Sequence, residues 1–361
     1  MPTSPSPANT ADQTQVLPDS IHTHLDAHPF VPQRLWRGGH RQTIASYLSR
    51  RHRHLLREFA SDEARYFQTE PGVQVLAHCH WQEQRTNHPT LVLVHGLEGS
   101  SSSVYMLGTE SKAHAAGFNV VRLNMRNCGA TEHLTPTLYN SGLTGDLRFV
   151  LDELMERDGL SRFYCAGFSM GGNVVLKLAG EFGSDAPSSL AGFCAVSPSL
   201  DLAACARRIE HPSNRLYQSR FVRSLRRRMR YKHKLFPETY DIKNLRRIRT
   251  VRDFDENFTA PHFGYADASD YYARASALRF IAAIRLPTLI ITAQDDPFVP
   301  FASFTNEAIS DNPHVHLLAP SHGGHVGFIA SHAETGGDRF WAEHRIIEFC
   351  RLIDDGASQL A

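Results

Sequence analysis

The chain of 361 residues is poor in several things, and each shortage narrows what it can be. Its six cysteines, Cys79, Cys128, Cys165, Cys194, Cys205 and Cys350, are scattered without C-x-x-C pairs or framework spacing. Three of them lie inside apolar runs, which suits reduced, buried thiols rather than extracellular cross-links. No apolar run reaches the roughly 20 residues a membrane-spanning helix needs, and the start shows no secretory pattern. The expectation is a cytoplasmic protein without an integral membrane segment. No P-loop or dinucleotide fingerprint occurs, and no internal repeat. Net charge is small as well: 38 Lys+Arg against 37 Asp+Glu leave +1, a balance that favours neither an acidic nor a basic partner.

The neutrality is uneven. Residues 205–252 carry 16 of the 38 Lys+Arg, with only Glu210, Glu238 and Asp241 as acids. A solvated helical face is the expected reading of "RSLRRRMRYKHK"; binding to nucleic acid and attraction to anionic head groups or acidic substrates are the rivals. No nucleic-acid partner is expected. Histidine is plentiful at 21 residues. His78 and His80 share a strand face, but no carboxylate or cysteine cluster in the sequence completes a metal set around them. Neither a metal nor a cofactor is expected, and the oligomeric state stays open.

"MPTSPSPANTADQTQ" is polar and rich in Pro, Ser and Thr, so residues 1–20 read as a disordered tail and 21–361 as one domain. "RYFQTEPGVQVLAHCHW" reads as a hairpin turning at Pro71-Gly72. From Thr90 the pattern alternates short, continuous apolar runs with helix-like stretches: "TLVLVHG", "FNVVRLNM", "RFYCAGF", "LAGFCAVSP" and "PTLIITAQDD". Strands buried on both faces of a parallel sheet read this way. The fold class is α/β, a mostly parallel, doubly wound sheet. The alternation lapses between Pro198 and Pro287. Over about 200–275 it gives way to helical, arginine-rich sequence, which reads as an inserted lid over the sheet's carboxyl edge.

Within "FYCAGFSMGGNVVL", Ser169 stands at a sharp strand-to-helix junction between Gly167 and Gly171. A serine hydroxyl is a poor nucleophile and needs a base. The helix that follows directs N–H groups and a positive dipole end toward a developing oxyanion. The Met170 N–H is one expected donor. The other is the Leu97 N–H, in the loop "VHGLEGSSSS" after the first buried strand. Where such a nucleophile elbow occurs, the acid and base follow in the order Ser, Asp/Glu, His. "IITAQDDPFVP" offers Asp296, with Asp295 as the fallback; the carboxylate that does not meet the imidazole is expected to face solvent in the turn. In "PSHGGHVGF", His325 is favoured over His322 because flanking glycines let a loop carry it onto Ser169.

The sequence also resembles the YheT-like branch of the α/β-hydrolase superfamily. The resemblance rests on "WRGGHRQTI" (Trp36 to Ile44), "HGLEGSSSS" (His95 to Ser103), "NMRNCG", "YNSGLTGDL", "GFSMGGN", "DYYARAS", "DDPFVP" and "HGGHVGF". It covers most of the chain after the tail. It implies an α/β-hydrolase fold and a serine hydrolase of acyl esters without a cofactor, with the acid at Asp296 and the base at His325. The expected activity is hydrolysis of a carboxylic ester through an acyl-enzyme, with Ser169, Asp296 and His325 as the triad and Leu97 and Met170 holding the oxyanion. The alternatives are an acyltransferase with the same triad, or a non-catalytic binding protein on this fold.

Overall fold

The computed structural model describes residues 16–49, 51–333 and 337–358. Eight strands form one mixed sheet in the order β1-β2-β4-β3-β5-β6-β7-β8. They are β1 (Glu63–Glu70), β2 (Val73–His80), β3 (Thr90–Val94), β4 (Asn119–Leu123), β5 (Phe163–Phe168), β6 (Leu190–Val196), β7 (Thr288–Ile291) and β8 (Val315–Leu318). The β1–β2 hairpin, turning at Pro71-Gly72, pairs antiparallel with β4; the ladders from β4 to β8 are parallel.

The continuous apolar runs are explained by burial on both faces. Val92 and Val94 point into one core, with Cys165, Phe193 and Ile290. Leu91 and Leu93 point into the other, with Tyr164, Ala166 and Leu289. The outer strand β1 instead buries Phe67 alone and leaves Glu63, Ala64, Tyr66, Gln68 and Glu70 exposed, as an edge strand with one wet face does.

Eight longer helices precede and enter the insertion: α1 (Asp19–Asp26), α2 (Gly39–Tyr47), α3 (Arg51–Glu58), α4 (Val104–Ala115), α5 (Gly145–Asp158), α6 (Met170–Phe182), α7 (Leu202–Glu210) and α8 (Arg215–Leu235). The closing helix is Trp341–Ser358, with Ala342, Ile346, Phe349, Cys350 and Ile353 buried. The segment 301–309 is not one helix but a 3-10 turn, Phe301–Phe304, and a separate helix, Glu307–Ser310. Asn306 breaks it by accepting the Ala308 N–H at 2.9 Å, the start of a new helix.

Between β6 and β7 the chain is helical without strands, and it builds two small cores of its own, one around Leu225, Met229 and Phe254, the other around Leu202, Tyr271 and Tyr272. The expectation that α8 presents its cations to solvent fails at two residues. Arg228 is paired with Glu98 at 2.8 Å and is only 10% exposed at its side chain. Lys232 is fully buried and donates to the carbonyls of Glu132 (3.0 Å) and Thr135. Burial lowers its ammonium to about 8. Both sit on the inner face of α8, which helical periodicity alone places beside Leu225 and Met229.

Of the tail expected over residues 1–20, residues 1–15 lie outside the described residues. The boundary falls earlier than expected, because Leu17 is already buried and its N–H donates to the Pro313 carbonyl at 3.2 Å. All six cysteines are buried and none is in a disulfide. Among the described residues, no helix is long and apolar enough to cross a membrane.

Candidate active site

Four strand ends converge. Ser169 follows β5, Leu97 lies just beyond β3, Asp296 beyond β7 and His325 beyond β8. Such carboxyl edges are where open α/β sheets bind ligands.

The turn at Ser169 is strained, with φ 55° and ψ −117°. It needs its glycines for contact reasons. A Cβ on Gly167 would come within 2.2 Å of the Gly171 carbonyl oxygen, and one on Gly171 within 2.3 Å of the Val94 carbonyl oxygen. Asn173, buried on the first turn of α6, fixes the junction. Its side chain donates to the carbonyls of Ser141 (2.9 Å) and Ala275 (2.8 Å) and accepts the Ala277 N–H at 2.8 Å.

The Ser169 Oγ lies 2.8 Å from His325 Nε2, and His325 Nδ1 lies 2.8 Å from Asp296 Oδ2. Asp296 Oδ1 accepts the N–H groups of Phe298 (2.7 Å) and Val299 (3.0 Å), so the carboxylate cannot swing away. With Asp296 accepting, the His325 proton sits on Nδ1 and leaves Nε2 to accept from Ser169. Asp296 is fully buried at its side chain and His325 12% exposed.

The competing pair is also assembled, in parallel. His322 Nδ1 lies 3.0 Å from Asp295 Oδ2, and Arg37 Nε donates to His322 Nε2 at 3.1 Å. Asp295 was expected to face solvent if Asp296 held the base. It is instead half-buried, because its other oxygen accepts the Gly324 N–H at 2.9 Å and ties down the loop that bears His325. Among the described residues His322 makes no hydrogen bond to Ser169; its second nitrogen is taken by Arg37.

The N–H groups of Leu97 and Met170 have no hydrogen-bond partner among the described residues. The Gly96 carbonyl accepts from His95 Nδ1 (2.8 Å) and from the Gly99 N–H (3.0 Å). Across that trans peptide, the Leu97 N–H must point the opposite way. A Cβ on Gly96 would stand 3.0 Å from Ser169 Cβ, so the loop lies directly on the serine. Burial lowers the His95 imidazole to about 4, and its neutral ring donates at Nδ1 and accepts the Met125 N–H at Nε2, 3.1 Å.

Glu98, next in the loop, takes a left-handed φ of 56°. It is clamped by Arg228 (2.8 Å), Tyr139 (2.9 Å) and Ser224. Burial alone would raise its carboxyl; the Arg228 guanidinium and the hydrogen bonds outweigh that and hold it below the usual value. A cavity of about 800 Å³ opens over Ser169, Leu97, Met170 and His325, walled by Leu202, Tyr217, Phe221 and Leu225 of the helical insertion.

The N-terminal lead contributes residues that no motif chemistry identified. Thr43 Oγ1 accepts the His325 N–H at 2.8 Å. Gln42, buried, donates to the Ile329 carbonyl (3.1 Å) and accepts its N–H (2.7 Å). A Cβ on Gly324 would come within 2.3 Å of the Gly39 carbonyl oxygen, so the two loops interlock. The segment "WRGGHRQTI" was legible only as a resemblance, since nothing in its spacing ties residue 43 to residue 325.

His80 gathers with Asp62 and Glu110, the one partly buried cluster of possible metal ligands among the described residues. Arg122 pairs with both carboxylates, with Glu110 at 2.6 Å and with Asp62, so a cation already fills that position. His78 is not in the cluster.

A family model for the alpha/beta hydrolase fold matches residues 89–331. The putative esterase YheT of Escherichia coli (strain K12) is 35% identical over 275 residues, 74% of this chain and 78% of its own length. The monoacylglycerol lipase of Saccharomyces cerevisiae is 33% identical over 277 residues, 74% of this chain but 60% of its own length. The Pyrococcus furiosus esterase Pf2001 shares the fold at a TM-score of 0.52 and 18% identity, covering 82% of this chain and 94% of its own. The chain belongs to the α/β-hydrolase fold family, in its YheT-like branch of carboxylic ester hydrolases.

Proposed function

We propose that the chain hydrolyses acyl esters through a covalent acyl-enzyme on Ser169. The observation that carries this is the unbroken hydrogen-bonded line from Asp296 through His325 to Ser169, opening into an apolar-walled cavity of about 800 Å³. His325 Nε2 takes the hydroxyl proton as Oγ bonds to the ester carbonyl carbon. The carbonyl oxygen becomes an oxyanion held by the Leu97 and Met170 N–H groups. Asp296 stabilises the imidazolium and fixes its tautomer. Collapse breaks the bond to the alcohol, which leaves with the proton from His325. Water then repeats the sequence, with His325 as base, and the acid is released.

The cavity size and its Leu, Phe and Tyr wall support esters with an apolar acyl chain; the yeast relative is named for a lipid ester. The helical insertion over about 200–275 acts as the lid that excludes water from the acyl-enzyme, and the chain from Leu17 onward works as one domain. A series of p-nitrophenyl esters of graded chain length tests the reading. Turnover is expected to rise with chain length before falling, and to vanish in Ser169→Ala. Turnover in Ser169→Ala within about tenfold of wild type would overturn it.

A further inference from the structure

Helix α2 is turned inside out. Its buried residues are the polar Gln42, Thr43 and Ser46, held inward by the His325 loop. Its apolar residues face out: Ile44 is 46% exposed, Tyr47 58% and Leu48 just beyond it 68%. Immediately upstream, Leu35 is 74% exposed and Trp36 39%. Tyr47 and Leu48 also line the cavity, so the outward apolar face runs continuously into the site.

Helix α8 meets α2 at this rim. His40 stacks on Tyr217 with ring centroids 5.7 Å apart, and the Arg220 guanidinium lies 4.0 Å from the Tyr47 ring centroid. The outer stripe of α8 is Leu216, Arg220, Arg223 and Arg227, at spacings of four, three and four. Leu216 is 85% exposed.

Along the two chain segments that build this rim, the charge has one sign. Residues 27–57 contain seven arginines and no Asp or Glu, and residues 211–237 seven arginines, two lysines and no Asp or Glu. Arg51, Arg228 and Lys232 are engaged internally. Arg34, Arg41, Arg215, Arg223 and Arg227 are exposed, with no carboxylate partner among the described residues.

We propose that this rim, formed by the outward face of α2, the Leu35-Trp36 turn and the outer stripe of α8, docks the enzyme on a lipid surface carrying anionic head groups, with the cavity mouth against that surface. Exposed apolar side chains ringed by arginines match the two demands of such a surface, an apolar layer beneath a negatively charged one. A nucleic acid would use the arginines but leave Leu35, Leu216 and Ile44 unexplained. The docking extends the reading of the cavity as an ester site, yet vesicle binding needs no turnover, so the two stand or fall separately.

The test is co-sedimentation of the full chain with phosphatidylcholine vesicles, with and without about 30% phosphatidylglycerol. Of the three tryptophans, only Trp36 is exposed, so its emission reports insertion. Binding to the anionic vesicles at low salt is expected, with a blue shift of emission and weakening as salt rises. Leu35→Ser with Leu216→Ser, and separately Arg223→Glu with Arg227→Glu, are each expected to weaken binding about tenfold or more. Hydrolysis of a dissolved short-chain ester should stay unchanged in both. None of these four residues lines the cavity. Absence of vesicle binding, binding that survives both pairs of substitutions, retention on RNA in place of vesicles, or self-association that buries Trp36 without lipid would each overturn the proposal.

Discussion

Asp295 and Asp296 are neighbours in one turn, and each holds a histidine of one loop, His322 and His325. The two pairs differ in what lies beyond the imidazole. Behind His325 is a serine hydroxyl at 2.8 Å; behind His322 is an arginine at 3.1 Å. They differ in solvent too, since Asp296 is fully buried at its side chain and Asp295 22% exposed. The outer pair secures the loop and the inner pair addresses the Ser169 hydroxyl. An Asp–His contact is therefore no mark of catalysis by itself; the group at the far nitrogen decides.

The sharpest way to break that contrast is to remove each ring. His325→Ala is expected to lower kcat by about four to six orders of magnitude, because serine and histidine act as one unit. His322→Ala should cost no more than about tenfold, through a looser loop. Steady-state rates on a soluble ester compare them; similar losses would erase the distinction between the pairs.

Next come the carboxylates. Asp296→Asn should reduce kcat by about 10⁴, since an amide in that position favours the wrong imidazole tautomer. Asp295→Asn should cost about tenfold or less, because Asp295 acts on the His325 loop and not on the reacting atoms. Equal losses would mean that the two share the role.

Thr43→Val removes the hydroxyl that accepts the His325 N–H while keeping the shape. A loss of about 1–2 kcal/mol in unfolding free energy is expected from the orphaned N–H. The positioning role predicts in addition a severalfold fall in kcat with little change in KM, restored by Thr43→Ser. A fall in stability alone would leave Thr43 a structural residue.

The smallest effect concerns a third aspartate, buried without a histidine. Asp255 accepts from Tyr272 (2.7 Å) and Thr259 (2.8 Å). Burial outweighs those bonds and lifts its carboxyl from 3.8 to about 6. The folded chain thus holds this proton more tightly than the unfolded one. The group's stabilising contribution is full below the unfolded value and is lost as pH rises through about 6. Asp255→Asn should therefore compare better with wild type at pH 8 than at pH 4, by of order 1–3 kcal/mol in urea unfolding. No change with pH would refute the assignment.

Much of this was legible in the sequence because it follows from local chemistry. Continuous apolar runs announced strands buried on both faces, and Gly167 and Gly171 announced the turn at Ser169. The order of Ser169, Asp296 and His325 matches strand ends that the alternation had already located. What was not legible depends on distant pairing. Asp295 read as a solvated turn residue because its partners, His322 and Gly324, are nearly 30 positions away and just as suited to a solvated loop. Arg228 and Lys232 read as surface cations because their partners, Glu98 and the Glu132 and Thr135 carbonyls, belong to other loops. The polar inner face of α2 offered no apolar stripe to mark it as buried, so Thr43 and Gln42 carried no signal.

The central claim is that Ser169 attacks and His325 activates it. Labelling with a fluorophosphonate, followed by peptide mass mapping, tests it most directly. The account predicts one adduct, on Ser169, formed rapidly in wild type, slowed by several orders of magnitude in His325→Ala and only slightly in His322→Ala. An adduct on another residue, or undiminished labelling in His325→Ala, would contradict it.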